Sequence, residues 1–101
     1  MTELPVACTL DPAALEARRE GLMADLRRRA DAHEELADGH RLRFAAAGDT
    51  LALIVRAIDA ERRCCRFLRF RLTVEPDEGP MVLELTGPEG TRDFLSVVIA
   101  S

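Results

Sequence analysis

Cys64 and Cys65 stand side by side in the stretch AERRCCRFLRFRL, with Glu61 just ahead of them and Arg62, Arg63, Arg66 and Arg69 around them. Neighbouring α-carbons lie about 3.8 Å apart, below the usual 4.4–6.8 Å of a disulfide, so a bridge between the two would be strained and easily reduced. The pair is therefore read as thiols that bind or react. If the segment is helical, the two side chains diverge by roughly 100°, and Glu61, three residues before one and four before the other, lies beside both. The arginines favour thiolates over thiols, whereas a helix C-terminus acts in the opposite direction.

Thiolates select soft ions, so the chemistry on offer is capture of Cu(I), Zn(II), Hg(II) or As(III) rather than of Mg(II) or Ca(II). Zinc fits poorly, because there is no CxxC and neither His33 nor His40 stands at a ligand spacing. A three-thiolate site demands less: Cys8, the remaining cysteine, would have to approach, with Glu61 as a fourth ligand or as proton acceptor. The competing reading is packing, since cysteine is commonly buried as a small hydrophobe and both Cys8 and Cys65 continue apolar patterns. His33, on an apparent helical stripe, and His40, at a strand start, read as structural or exposed. TGPEG matches no phosphate-loop pattern and reads as a turn.

Composition narrows the setting. A chain of 101 residues is expected to form one domain over residues 1–101, without needing disulfides or a metal as staples. No apolar run suits a membrane span, and MTELPVACTL lacks the basic start and apolar centre of a signal peptide, so a cytoplasmic location is expected. There, an odd count of three cysteines points to reduced thiols. A net charge of −4 gives no general attraction to nucleic acid or membrane, and all fourteen basic residues are arginine. Without tryptophan or tyrosine, only Phe44, Phe67, Phe70 and Phe94 remain as stacking candidates. Nothing indicates a nucleotide or an organic cofactor.

The elements that must position these residues follow from periodicity. LPVACTL reads as a first strand, and Asp11-Pro12 opens a long amphipathic helix predicted to reach about Ala37, with Asp38-Gly39 ending it. HRLRF alternates as a strand with one wet face. A second helix, capped by Asp49 or Thr50, carries Leu51, Ile54, Val55, Ile58 and Cys65 near one face and places the cysteine pair in its last turns. FRLTVEPDEGPMVLELTG is a hairpin with a four- or five-residue loop, and Thr91 caps a final helix bearing Phe94, Leu95, Val97 and Val98. The expected architecture is α+β, in the order βαβαββα: a two-layer sandwich with helices on one face of a small, mostly antiparallel sheet.

The segments VACTL, ERRCCRFLRFRLTVEP and LELTGPEGTRDFL resemble a family of small bacterial proteins with an E-x-x-C-C-x-F core and a following T-G-P-x-G turn. The matching residues are Glu61, Cys64, Cys65 and Phe67, with Cys8 for the N-terminal cysteine and Gly87, Pro88 and Gly90 for the turn. Such domains occur alone or behind DNA-binding regions of mercury-resistance-type regulators, often in heavy-metal or metalloid-resistance settings. Where relatives carry proline after the second cysteine, this chain has Arg66, which lets the helix continue further. The resemblance implies a metal or metalloid site at Cys8, Cys64, Cys65 and Glu61. With no separate DNA-binding segment ahead of the core, direct nucleic-acid binding is not expected. The alternatives are a thiol-dependent redox or metal-transforming enzyme, and an interaction module, dimeric through the hairpin edge or final helix, with inert buried cysteines.

Overall fold

In the stretch from Gly39 to Phe44 every second side chain is apolar or neutral and every other one is Arg41 or Arg43, and this alternation sets the sheet. The computed structural model describes Pro12 and residues 21–100. Within them the order is α1 (Leu22–Arg29), β1 (Ala32–Leu36), β2 (Gly39–Phe44), α2 (Gly48–Cys64), β3 (Arg69–Val74), β4 (Met81–Thr86) and α3 (Thr91–Ala100). The four strands form one antiparallel sheet in the order β1-β2-β4-β3. The α+β class and the antiparallel sheet agree with the sequence reading. The predicted first strand, with Cys8, lies outside the described residues.

One face of the sheet is the core. His40, Leu42 and Phe44 on β2 and Met81, Leu83 and Leu85 on β4 are buried, and all but His40 join one apolar cluster with Leu26, Ile54, Ala57, Leu95 and Ile99 from the helices. Each fully buried Leu, Ile or Phe contributes about 1.5–3 kcal/mol by leaving water. The opposite face carries a ladder of alternating charge. In register across the four strands stand Glu34, Arg41, Glu84 and Arg71, with Arg41 Nε and Nη2 donating to Glu84 Oε2 at 3.1 and 2.8 Å. The arginines of the strands are thus largely a solvated face.

Three expectations are corrected. The helix predicted to reach Ala37 ends at Arg29, where Ala30 turns extended, and it is preceded by Gly21 as N-cap residue in the left-handed region at φ 70°. Ala32–Leu36, although rich in helix formers, pairs with β2 instead, so tertiary hydrogen bonding overrides local preference. Second, Val55 is 53% exposed, and the buried stripe of α2 runs through Thr50, Ile54, Ala57, Ala60, Glu61 and Cys64. Neither Asp49 nor Thr50 caps α2 with its side chain: Ala47 is the N-cap residue. Third, the β3–β4 hairpin closes through six residues, 75–80, with Asp77 and Glu78 at positive φ and Glu75 N–H donating to Pro80 O at 3.2 Å.

At Gly39 the two inner strands leave no room for a side chain. A Cβ built there would lie 1.8 Å from the Leu85 carbonyl oxygen, a backbone atom that cannot swing aside. Gly39→Ala is therefore expected to destabilise the fold by about 3 kcal/mol, lowering the melting temperature by roughly 12–24 °C in a thermal unfolding experiment. An unchanged transition would show that the β2–β4 approach is looser than described.

Candidate metal centre

The α2 stripe that begins as core ends as chemistry. Because Ala57, Ala60, Glu61 and Cys64 share one face, the helix drives the Glu61 carboxylate into the interior along with its apolar neighbours, leaving it 5% exposed. The helix stops at Cys64. Cys65 takes a non-helical conformation at φ −105° and ψ 76°, although its N–H still donates to Glu61 O at 2.6 Å, and its own carbonyl accepts from Leu68 N–H at 3.0 Å. Arg66 therefore does not extend the helix, contrary to the sequence expectation: the chain turns back immediately so that Arg69 can open β3.

This turn undoes the roughly 100° divergence expected for two helical neighbours. One ligand atom each from Glu61, Cys64 and Cys65 lies within 4.8 Å of the others, and all three residues are buried. Cys65 Sγ donates to Glu61 Oε2 at 3.5 Å. Cys64 and Cys65 are 0% and 1% exposed and form a small cluster of their own with Phe67, against which Leu68 and Phe94 pack. The Phe67 and Phe94 rings meet edge to face, 5.3 Å apart at 81°, and Phe67 also lines an adjoining cleft with Arg69, Thr86, Gly87 and Pro88. Gly87 is needed beside this ring, since a Cβ there would come within 2.6 Å of Thr91 Oγ1 and 3.3 Å of Phe67 Cδ2.

The sulfurs differ in oxidation state. Cys64 is disulfide-bonded, while Cys65 carries a thiol. The sequence expectation that no Cys64–Cys65 bridge forms holds, but the expectation of three reduced thiols is corrected at Cys64. Cys8 lies outside the described residues. The structure thus brings together three of the four residues singled out from sequence, and in the oxidised state two of them, Glu61 and Cys65, hold ionisable groups.

The two arginines just ahead of the pair are engaged on α2 itself. Arg62 and Arg63 are exposed and pair with Asp59, at 2.8 and 3.4 Å, one turn back on α2, and those contacts, Arg62's hydrogen bond first, hold the Asp59 carboxyl below its ordinary range. What sequence reasoning missed was Phe94, a remote residue that covers the pair, and the pairing of His33 with His40. Comparison of the chain with protein-family models, curated proteins and solved structures finds no match.

Burial makes a direct prediction. Alkylation of the Cys65 thiol by iodoacetamide in the native protein is expected to run at least about 100-fold slower than in denaturant, because it requires local opening. Phe67→Leu should accelerate it by about tenfold while costing no more than ~1.5 kcal/mol of stability. Native labelling at the denatured rate would show the aromatic cover to be no barrier.

Proposed function

We propose that this protein is a cytoplasmic binding module for a soft metal or metalloid ion. The ion is captured by Cys64 and Cys65, with Cys8 as third thiolate and Glu61 as a further ligand or as acceptor of the thiol protons. The observation that carries the reading is the convergence of Glu61, Cys64 and Cys65 within 4.8 Å inside the protein. The donor set fits a thiophilic ion of low coordination number, such as Hg(II) or As(III), and also Cu(I); zinc would need all four groups, Cys8 and Glu61 included, as ligands. The resemblance to E-x-x-C-C-x-F proteins supports a role in heavy-metal response or resistance.

The disulfide at Cys64 makes this capture conditional. A sulfur already bonded to another sulfur does not offer a thiolate, so binding requires reduction first, which the cytoplasmic thiol pool supplies. The same disulfide favours a second reading, in which the Cys65 thiolate takes part in thiol–disulfide exchange and Glu61 accepts its proton. That enzyme would turn over with a small thiol or disulfide substrate, whereas a binding module saturates at one ion.

The test is anaerobic titration of the reduced chain with Hg(II), As(III), Cu(I) and Zn(II), counting thiols and bound ions together. One ion is expected per chain, with loss of two or three thiols and resistance to a competing small dithiol. The oxidised protein should bind at least about 100-fold more weakly, as should the double variant Cys64→Ser, Cys65→Ser. Glu61→Gln, which keeps the shape and the hydrogen-bonding capacity, should weaken binding by about 10–100-fold. Full affinity in the double variant would overturn the proposal, and turnover of a disulfide without ion binding would replace it with the second reading.

A further inference from the structure

On the helix-covered side of the sheet, away from the charge ladder, a cleft of about 490 Å³ is lined by Arg27 and Arg28 of α1, His33 and Glu35 of β1, His40 of β2 and Ser96 of α3. His33 Nε2 and His40 Nδ1 stand 2.8 Å apart in it. These are the two histidines of the chain, both read from sequence as structural or exposed. His33 lies on a strand rather than on a helix, and only that strand pairing brings it to His40.

The hydrogen bonds determine which nitrogen carries which proton. His40 is 1% exposed, and its Nε2 lies 2.9 Å from the Arg92 carbonyl oxygen, which can only accept. In the neutral ring Nε2 therefore bears the hydrogen, and Nδ1 presents its lone pair toward His33, whose Nε2–H donates to it. Ser96 Oγ, 3.2 Å from His40 Nε2, donates to the same Arg92 oxygen at 3.0 Å. A buried imidazole whose far N–H is tied to a backbone carbonyl, with its other nitrogen aimed at a second imidazole in an open cleft, is the arrangement that orients histidine as a metal ligand.

We propose that this cleft is a second cation site, distinct from the cysteine centre, in which His40 Nδ1 and His33 Nε2 hold a borderline divalent ion of the Zn(II), Ni(II) or Cu(II) class and Glu35 supplies a carboxylate. Glu35 sits two residues along β1 from His33, hence on the same face, and directly opposite His40 in the register. The set is two imidazoles and one carboxylate, with the remaining positions open to water or a small anion. Ion–nitrogen distances of about 2.0–2.1 Å require the rings to separate by about 0.5 Å, while His33 moves its hydrogen from Nε2 to Nδ1. Among the described residues the Glu61 group is the one trio already converged, so the exposed Glu35 side chain has to rotate to join the rings.

Charge around the cleft is mixed. Burial first, then the neighbouring His40 and Arg27 charges, holds His33 below the ordinary histidine range, with Glu35 acting the other way. Arg28 is already paired with Asp25. Arg27 works against a cation. That opposition separates this proposal from binding of an anion by the same cleft.

The experiment follows the two histidine ring signals of the full, folded chain by proton NMR during titration with Zn(II), which is possible without crowding because the chain has two histidines. The oxidised protein is used, so that the cysteine centre does not compete. Both rings are expected to shift together and to saturate at one ion. His33→Gln, at an exposed position that leaves the fold intact, should weaken binding about tenfold or more. Glu35→Gln should weaken it severalfold, and Arg27→Gln should tighten it by about 2–5-fold. A shift in one ring alone, equal affinity in His33→Gln, or weaker binding in Arg27→Gln would overturn the proposal. Those results leave the reduced-state binding at Cys64 and Cys65 untouched, so failure of one site is distinguishable from failure of the other.

Discussion

The structure depends on the pairing of β2 with β4. The two hairpins, β1–β2 and β3–β4, are local, but joining them into one sheet means that Phe44 meets Met81 and Gly39 meets Thr86 across the whole length of α2 and β3. That contact is bought with loop entropy before any of its hydrogen bonds form, and it is repaid by burial of Leu42, Leu83 and Leu85 in one row system. Gly39 permits the approach. Because α2 leaves the end of β2 and must return to the far edge of β4, where β3 pairs, its last turn is carried across the core. The Glu61, Cys64 and Cys65 cluster lies at that crossing's end, which is why its geometry is set by the sheet and not by the helix alone.

The distribution of charge sharpens the point. Nearly all of the ionisable groups described sit on the open face of the sheet or on exposed helix surfaces, in pairs such as Arg41 with Glu84 and Arg43 with Asp31. Exposed pairs of this kind contribute little, typically 0–1 kcal/mol each. They also place arginines along β3, an edge strand, where charge discourages pairing with another sheet. Against that pattern, Glu61 is the buried carboxylate, at 5% exposure, and it has a buried sulfur as hydrogen-bond donor. A folding requirement alone would be met more cheaply by an apolar residue on that helical face, as Ala57 and Ala60 show one turn earlier.

Much of this was legible in the sequence. The alternation in β2, β3 and β4, the helical stripe of α2 and the glycine-rich turn before α3 led to the α+β class and to the proximity of Glu61 to both cysteines. What failed did so for physical reasons. AHEEL has the composition of a helix, and its strand state comes from long-range pairing to β2; the signal available was Asp38-Gly39 flanked by alternating residues, which marks a hairpin as readily as a helix end. With β1 misread, His33 was placed on the wrong element and the contact with His40 could not be seen. The end of α2 at Cys64 depends on the need to reverse into β3, and Arg66 does not encode it.

The burial of the sulfurs bears on which thiol chemistry suits the fold. Catalytic turnover at Cys65 would require substrate to reach it and product to leave in every cycle, past Phe67 and the Phe94 ring stacked edge-on to it. Capture, as proposed, would require that passage once, and the closed aromatic cover would then oppose release, so the same burial that slows a catalyst would lengthen the residence of a bound ion. On the proposed reading a thiophilic ion would replace the thiol protons at the cysteines, beside the Glu61 carboxylate. On the proposed reading the disulfide at Cys64 adds a condition on that capture: it protects one sulfur from reaction until a reducing environment opens it, so the protein's oxidation state, and not only the ion's concentration, would govern when the centre is available.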